Sequence, residues 1–262
     1  MPATYAHYIF GEQIMNLLEG DIKRIVSENL NLFHIGLHGP DILFYYKPLG
    51  SNHINKLGHQ LHSLSARIFF ENAKKIINDC TDRDKACSYI IGYICHFMLD
   101  SECHPCVREN ESDKLTHSEI ETEFERMLME INNLNPLSFK STSHIIPTLD
   151  TSECISWFYE EISAKEVLSS LKSMKFYLNL LVTPSHVKRW IIISALKVSG
   201  NYDGMIGLIM NYKKSLEFIQ INKSLYDLYL NAVTPTIALI NEFYNGLKNN
   251  KPINERFYRN FG

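Results

Sequence analysis

The sequence predicts an all-α fold, a single multi-helix domain over residues 1–262. Three observations predict it. Apolar residues recur at three- and four-residue spacing along most of the chain. No run alternates apolar and polar residues in the manner of a half-buried strand. No internal repeat, low-complexity tract or Gly/Ser linker divides the chain, so one domain is favoured although 262 residues would accommodate two small ones. With 45% hydrophobic and 21% charged residues, the composition is that of a folded globular protein.

The periodicity places helices near 8–29, 55–79, 84–101, 114–133, 162–182, 185–198, 203–216 and 222–249. In the second, Leu57, Leu61, Leu64, Ile68, Phe69, Ile76 and Ile77 form the expected buried stripe. The third is apolar nearly all round from Ile90 to Leu99, which predicts burial on every side. The run Trp190-Ile191-Ile192-Ile193 reads as core, and Pro235 is expected to kink or split the last helix. Residues 36–41 read as a loop because Gly39-Pro40 does not continue a helix, and the charged stretch 101–113, with Pro105, reads as a second loop.

Several function classes are excluded at this level. A net charge of −3 offers no electrostatic footing for nucleic acid, and none is expected as a partner. The start, Met1-Pro2-Ala3-Thr4-Tyr5-Ala6-His7, has neither the basic nor the apolar region of a secretory signal, which makes a cytoplasmic location the expectation. No apolar run reaches the roughly 20 residues of a transmembrane segment. The six cysteines are accordingly expected to be reduced thiols.

Histidine distribution points to chemistry. Of the 11 histidines, only His144 and His186 lie beyond His117, and imidazole is a common ligand for transition metals. His96 and Asp100 are four residues apart on one predicted helix, as are His117 and Glu121 on another. Each pair therefore projects from one face, about 6 Å apart. His104 follows Asp100 by a further turn. A carboxylate on so apolar a helix needs a partner or a cation. His34 and His38 beside the Gly-Pro-Asp segment read as structural or as supports behind the ligands, His144 and His186 as surface residues. Cys103 and Cys106 read as bystanders because no second CxxC exists. Tyr45-Tyr46 suits either a substrate pocket or the core.

The ordered set of His7, Gly39-Pro40-Asp41, His96-x3-Asp100-x3-His104-Pro105 and His117-x3-Glu121 resembles the zinc-dependent phospholipase C family. That family is all-helical and related in fold and metal site to the S1/P1-type nucleases; the motifs cover roughly residues 1–130. The resemblance implies about two to three zinc ions acting on a phosphoric ester. It implies that Asp100, beside His96, bridges two ions, that His104, His117 and Glu121 hold a separate one, and that His7 shares an ion with the chain's terminal amino and carbonyl groups. Asp41 becomes both a ligand and the candidate general base. One further histidine is implied after Asp41, where the chain offers His53, His59 and His62; His62 is favoured because it continues a stripe through Ala66, Phe69 and Ala73.

Two departures accompany the resemblance. Secreted members begin with a tryptophan, whereas this chain begins Met1-Pro2, and the lipid-binding domain that some toxins of the family carry is not expected here. The expected activity is phospholipase C-like cleavage of a phospholipid or small-molecule substrate by metal-activated water, with transient contact to a membrane surface. The alternatives are an S1/P1-like nuclease or other phosphoesterase, and a non-catalytic metal- or lipid-binding helical protein.

Overall fold

The computed structural model describes residues 4–249 and 251–262. These form α1 (Thr4–Leu17), α2 (Gly20–Glu28), α3 (Leu30–Gly36), a 3-10 helix over Gly39–Tyr45, α4 (His53–Ser63), α5 (Arg67–Asp79), α6 (Arg83–Asn110) and α7 (His117–Ile131). There follow α8 (Leu149–Ser156), α9 (Ala164–Leu181), α10 (His186–Val198), the single turn α11 (Tyr202–Met205) and α12 (Ile219–Asn249), with further 3-10 turns at Ile206–Leu208, Leu216–Phe218 and Glu255–Tyr258. No strand occurs among the described residues.

Helix α6 is the axis of the molecule. Every residue from Ile90 to Ser101 is buried, because α1, α2, α3, α5, α7, α8 and α12 surround it. Asp82 starts it by accepting a hydrogen bond from the Lys85 amide at 3.2 Å, which satisfies one of the free amides of the first turn. Its crossing with α3 is very close. A Cβ on Gly36 would lie 2.2 Å from the Tyr89 carbonyl oxygen, and one on Gly92 would lie 2.2 Å from that of Phe33. Two glycines thus bring the end of α3, and the segment after it, against the face of α6 that carries His96.

The helix ends differ from the expected ones for local reasons. The 8–29 helix breaks at Gly20, which has φ +57°, a conformation that glycine adopts at no steric cost. Helix α3 is an additional element after Asn29. The 55–79 helix is two helices, since Leu64 leaves the helical region with ψ 161°. Leu64 and Ile68 consequently face solvent at 50% and 63% exposure, outside the expected stripe. The loop expected over 101–113 is mostly helix: α6 continues through Pro105 to Asn110. Pro105 lies on the exposed side, while Cys103, His104 and Val107 are buried on the other. That packing outweighs the roughly 3 kcal/mol penalty of an internal proline. Likewise α12 runs unsplit through Pro235, anchored by Leu225, Tyr229, Ala232, Leu239, Ile240 and Phe243.

Three further expectations are corrected. The 203–216 helix amounts to one turn and a 3-10 turn, after which Arg126 and Arg189 hold the extended chain through the carbonyls of Asn211 and Met210. Helix α8, eight residues long, is too short for a periodic signal but carries a capping box between Thr148 and Thr151. Trp190 and Ile191 are not core: they are 69% and 52% exposed, because α10 packs through Leu196, Ile192 and Ile193 onto a small cluster with Leu181 and Ile209. The segment beyond α12, which shows no helical period, is nevertheless core. Phe257 and Phe261 are buried, and the amide of Ala66 donates to the Arg259 carbonyl at 2.8 Å.

Candidate metal centre

Because α6 is continuous, His96, Asp100 and His104 line one face at successive turns. The Asp100 carboxylate, 3% exposed, lies 3.1 Å from His7 Nε2 and 3.5 Å from His104 Nε2 through Oδ1, and 3.1 Å from His96 Nε2 through Oδ2. Neighbouring elements supply the remaining groups. Helix α1 brings His7, whose ring stacks on His96 with centroids 4.3 Å apart. The start of α1 is held by Glu125 of α7, which accepts from the amides of Tyr5 and Ala6.

The segment after α3 is a 3-10 turn rather than the expected open loop. Gly39 there has φ +47°, and a Cβ on it would lie 2.2 Å from His96 Cδ2. Glycine is thus required both by conformation and by space. Pro40 then fixes the first turn, and Asp41, 1% exposed, sits with Oδ1 2.9 Å from His62 Nε2 at the end of α4. On α7, the Thr116–Glu119 capping box starts the helix at His117. Glu121 Oε1 lies 3.1 Å from His117 Nε2 and 3.3 Å from His104 Nε2.

Three groups of donor atoms therefore converge: His7 with His96 and Asp100, Asp41 with His62 and His96, and His104 with His117 and Glu121. Within each, the potential ligand atoms lie within 4.8 Å of one another. All eight candidates from the sequence are among them. The chain's terminal amine, expected to share an ion with His7, lies outside the described residues.

The donor set fits zinc. Both oxygens of Asp41, Oδ2 of Asp100 and Nε2 of His96 and of His104 are buried without a hydrogen-bond partner. Their short mutual contacts lack hydrogen-bond geometry, the arrangement of groups aimed at a common centre. The opposite ring nitrogens are fixed instead: His62 Nδ1 faces the Gly58 carbonyl at 2.7 Å, His96 Nδ1 that of Leu37 at 3.2 Å, and His104 Nδ1 that of Phe261 at 2.8 Å. His117 Nδ1 faces Glu111 Oε1 at 2.6 Å. Such outer partners orient an imidazole and leave Nε2 free to bind. No sequence signal marks backbone carbonyls, and these partners were not foreseen.

The electrostatics favour a cation. Burial opposes ionisation of Asp41, yet the His96 and His62 imidazoles hold its carboxyl below the usual range. The rings of His104, His96 and His7 do the same, more strongly, for Asp100. Burial likewise opposes charge on His104, but Asp100 and Glu121 carry its imidazole up to about 9. Ionised carboxylates in a buried cluster thus draw protons onto His96 and His104, which a dication would displace.

The model of the family described as zinc dependent phospholipase C matches residues 6–177. The chain belongs to this family. No curated protein and no solved structure matches it. For a zinc-dependent phospholipase C family member, the three His/Asp/Glu groups are the candidate zinc sites.

A cleft of about 70 Å³ meets this centre at Glu121 in the family member described here. Glu121 and Glu125 stand at its polar end, and Leu137, Phe139, Leu178 and Leu181 line its apolar wall. Burial carries the Glu125 carboxyl up to about 8. His144 is not a surface residue: it is 7% exposed, and its Nε2 meets Nε2 of the buried His38 at 2.7 Å. Burial pushes both rings down, His144 to about 3, so they pair as neutral tautomers beside the Gly39 turn. His34 joins them through the edge of its ring, with its Nε2 2.8 Å from Glu12 Oε1, while His186 is exposed. The six cysteines are free thiols, and burial pushes the Cys103 thiol up, away from the thiolate needed for metal or redox work. Tyr45 is buried and Tyr46 half-buried.

One expected result follows directly from the grouping. Replacing both His117 and Glu121 with Ala removes two of the three donors of one group and none of the other two. Elemental analysis should find about one zinc fewer per chain than in the parent. An unchanged count would mean that this trio does not hold an ion.

Proposed function

We propose that the protein is a phospholipase C-like hydrolase that cleaves a phospholipid into diacylglycerol and a phosphorylated head group. The observation that carries the reading is the convergence of three imidazole–carboxylate groups, which a cleft with one apolar wall meets at Glu121. Asp41, His62, His96, His7, Asp100, His104, His117 and Glu121 would hold about two to three zinc ions. Zinc so held supplies charge neutralisation for the phosphoryl oxygens and a lowered pKa for attacking water.

The chain's own residues account for the rest. Asp41 is buried and held ionised, so its carboxylate accepts the proton as water oxygen adds to phosphorus and the bond to the glycerol oxygen breaks, and that proton then passes to the departing glycerol oxygen. The cleft wall of Leu137, Phe139, Leu178 and Leu181, which meets the centre at Glu121, takes the apolar part of the substrate. The hydrogen bonds from His62, His96 and His104 to backbone carbonyls keep the rings oriented, so little reorganisation accompanies the reaction.

The test joins zinc analysis of purified protein to turnover on dispersed phospholipid, single-stranded nucleic acid and a simple phosphodiester. About two to three zinc ions and preference for the phospholipid are expected. Preference for nucleic acid would assign the centre to nuclease chemistry. Full zinc loading with no cleavage of any substrate would make this a non-catalytic metal protein.

A further inference from the structure

An apolar and basic surface on α9 and α10 takes no part in the chemistry above. On α10, Val187, Trp190, Ile191 and Val198 are 68%, 69%, 52% and 91% exposed, and on α9 Phe176 is 61% exposed. From Val167 to Tyr202 the chain has no Asp or Glu, yet it carries Lys172, Lys175, Lys188, Arg189 and Lys197. In a chain with 29 acidic against 26 basic residues, this is a marked local excess of positive charge. Lys172, Lys175 and Lys188 line an open recess of about 550 Å³ together with Phe176, Leu180 and Pro147. Lys188 also ties the two helices together, donating to the Val182 carbonyl at 2.6 Å.

We propose that this surface docks the protein on an anionic lipid bilayer and holds the cleft mouth against it. Exposed tryptophan and aliphatic side chains insert at the headgroup boundary, and lysines beside them meet lipid phosphates, which is the composition of an interfacial helix. Charge complementarity selects the occupant. A second copy of this chain would bring the same uncompensated positive charge against itself. Position supports the same occupant: Leu178 and Leu181, on the last turns of α9, line the cleft, while Phe176 and Leu180 line the lysine recess on the same helix. Lipid drawn up at the recess is therefore one helix width from the apolar cleft wall. The inference deepens the lipid reading of the site, but it is read by binding and does not require turnover.

The chain has two tryptophans, so a Trp157→Phe variant leaves Trp190 as sole reporter. Its emission should shift to the blue on vesicles of phosphatidylcholine with phosphatidylglycerol and be quenched by brominated acyl chains. The shift should be weak on phosphatidylcholine alone and should reverse in high salt. In sedimentation with lipid-loaded vesicles, the unlabelled parent should pellet, and Trp190→Ala with Ile191→Ala should not. Lys172→Gln with Lys197→Gln should weaken partitioning about 30-fold, while Ile68→Ala, equally exposed on α5, should leave it unchanged.

These surface variants should keep turnover on a dispersed short-chain phosphodiester, which separates failure of docking from failure of catalysis. The absence of vesicle binding by the parent, or an equal loss in Ile68→Ala, would overturn the proposal. So would a stable dimer that dissociates in the Trp190→Ala, Ile191→Ala variant.

Discussion

Asp41→Asn is expected to retain most of its zinc and to lose roughly 100- to 10,000-fold in turnover, the usual contribution of a general base. The reason lies in how Asp41 is held. Gly39 at φ +47° and Pro40 turn the chain so that the carboxylate enters the cluster, and His62 Nε2 stands 2.9 Å from one oxygen. Neither oxygen has a hydrogen-bond donor, and the imidazoles of His96 and His62 keep the group ionised against its burial. An amide of the same shape keeps one oxygen for a cation but takes no proton at neutral pH. Zinc stoichiometry and turnover, measured on one preparation, give the answer. Turnover near that of the parent would remove Asp41 from the chemistry. Loss of zinc would make it chiefly a ligand.

Asp100→Asn is expected to fail earlier, by losing zinc. Asp100 is approached by the Nε2 atoms of His7, His96 and His104 at 3.1, 3.1 and 3.5 Å, more imidazoles than any other carboxylate in the centre meets. A neutral amide binds a dication poorly and offers only one oxygen where two are in use. The substitution also removes the charge that, against burial, carries His104 up to about 9. Breaking such a buried pair by deleting one partner costs about 3–5 kcal/mol, so the unfolding temperature should fall along with the metal content. A variant that kept its full zinc complement and its unfolding temperature would show that Asp100 is not central to the site.

The parts of the centre written within one helical turn were legible in the sequence. His96, Asp100 and His104 share a face because residues four apart always do, and the same holds for His117 and Glu121. His62 does not share a helix with Ala66, Phe69 and Ala73, which cap and line α5, because the chain breaks at Leu64. His62 meets Asp41 because α4 packs on the 3-10 turn, a tertiary contact with no periodic signature. Burial of His144 by His38, more than a hundred residues away in sequence, is illegible for the same reason. Pro105 and the Trp190 run misled in opposite directions. Packing carried a helix through a proline, and an apolar run found nothing to pack against.

The seating of Phe261 bears on the order in which the molecule is completed. Its carbonyl faces His104 Nδ1 across 157 residues, and its amide donates to the His62 carbonyl at 3.3 Å. The ring packs against His96 and His62, with centroids 5.8 and 5.4 Å apart. Contacts of such long sequence separation form late, after the local helices, because the intervening chain must first be ordered. During synthesis, the ligand face of α6 exists well before this brace reaches it. Until Phe261 arrives, His104 lacks the carbonyl that fixes its tautomer and ring orientation. A chain whose last residues have not docked thus presents every candidate ligand of α6 but not the carbonyl that orients one of them.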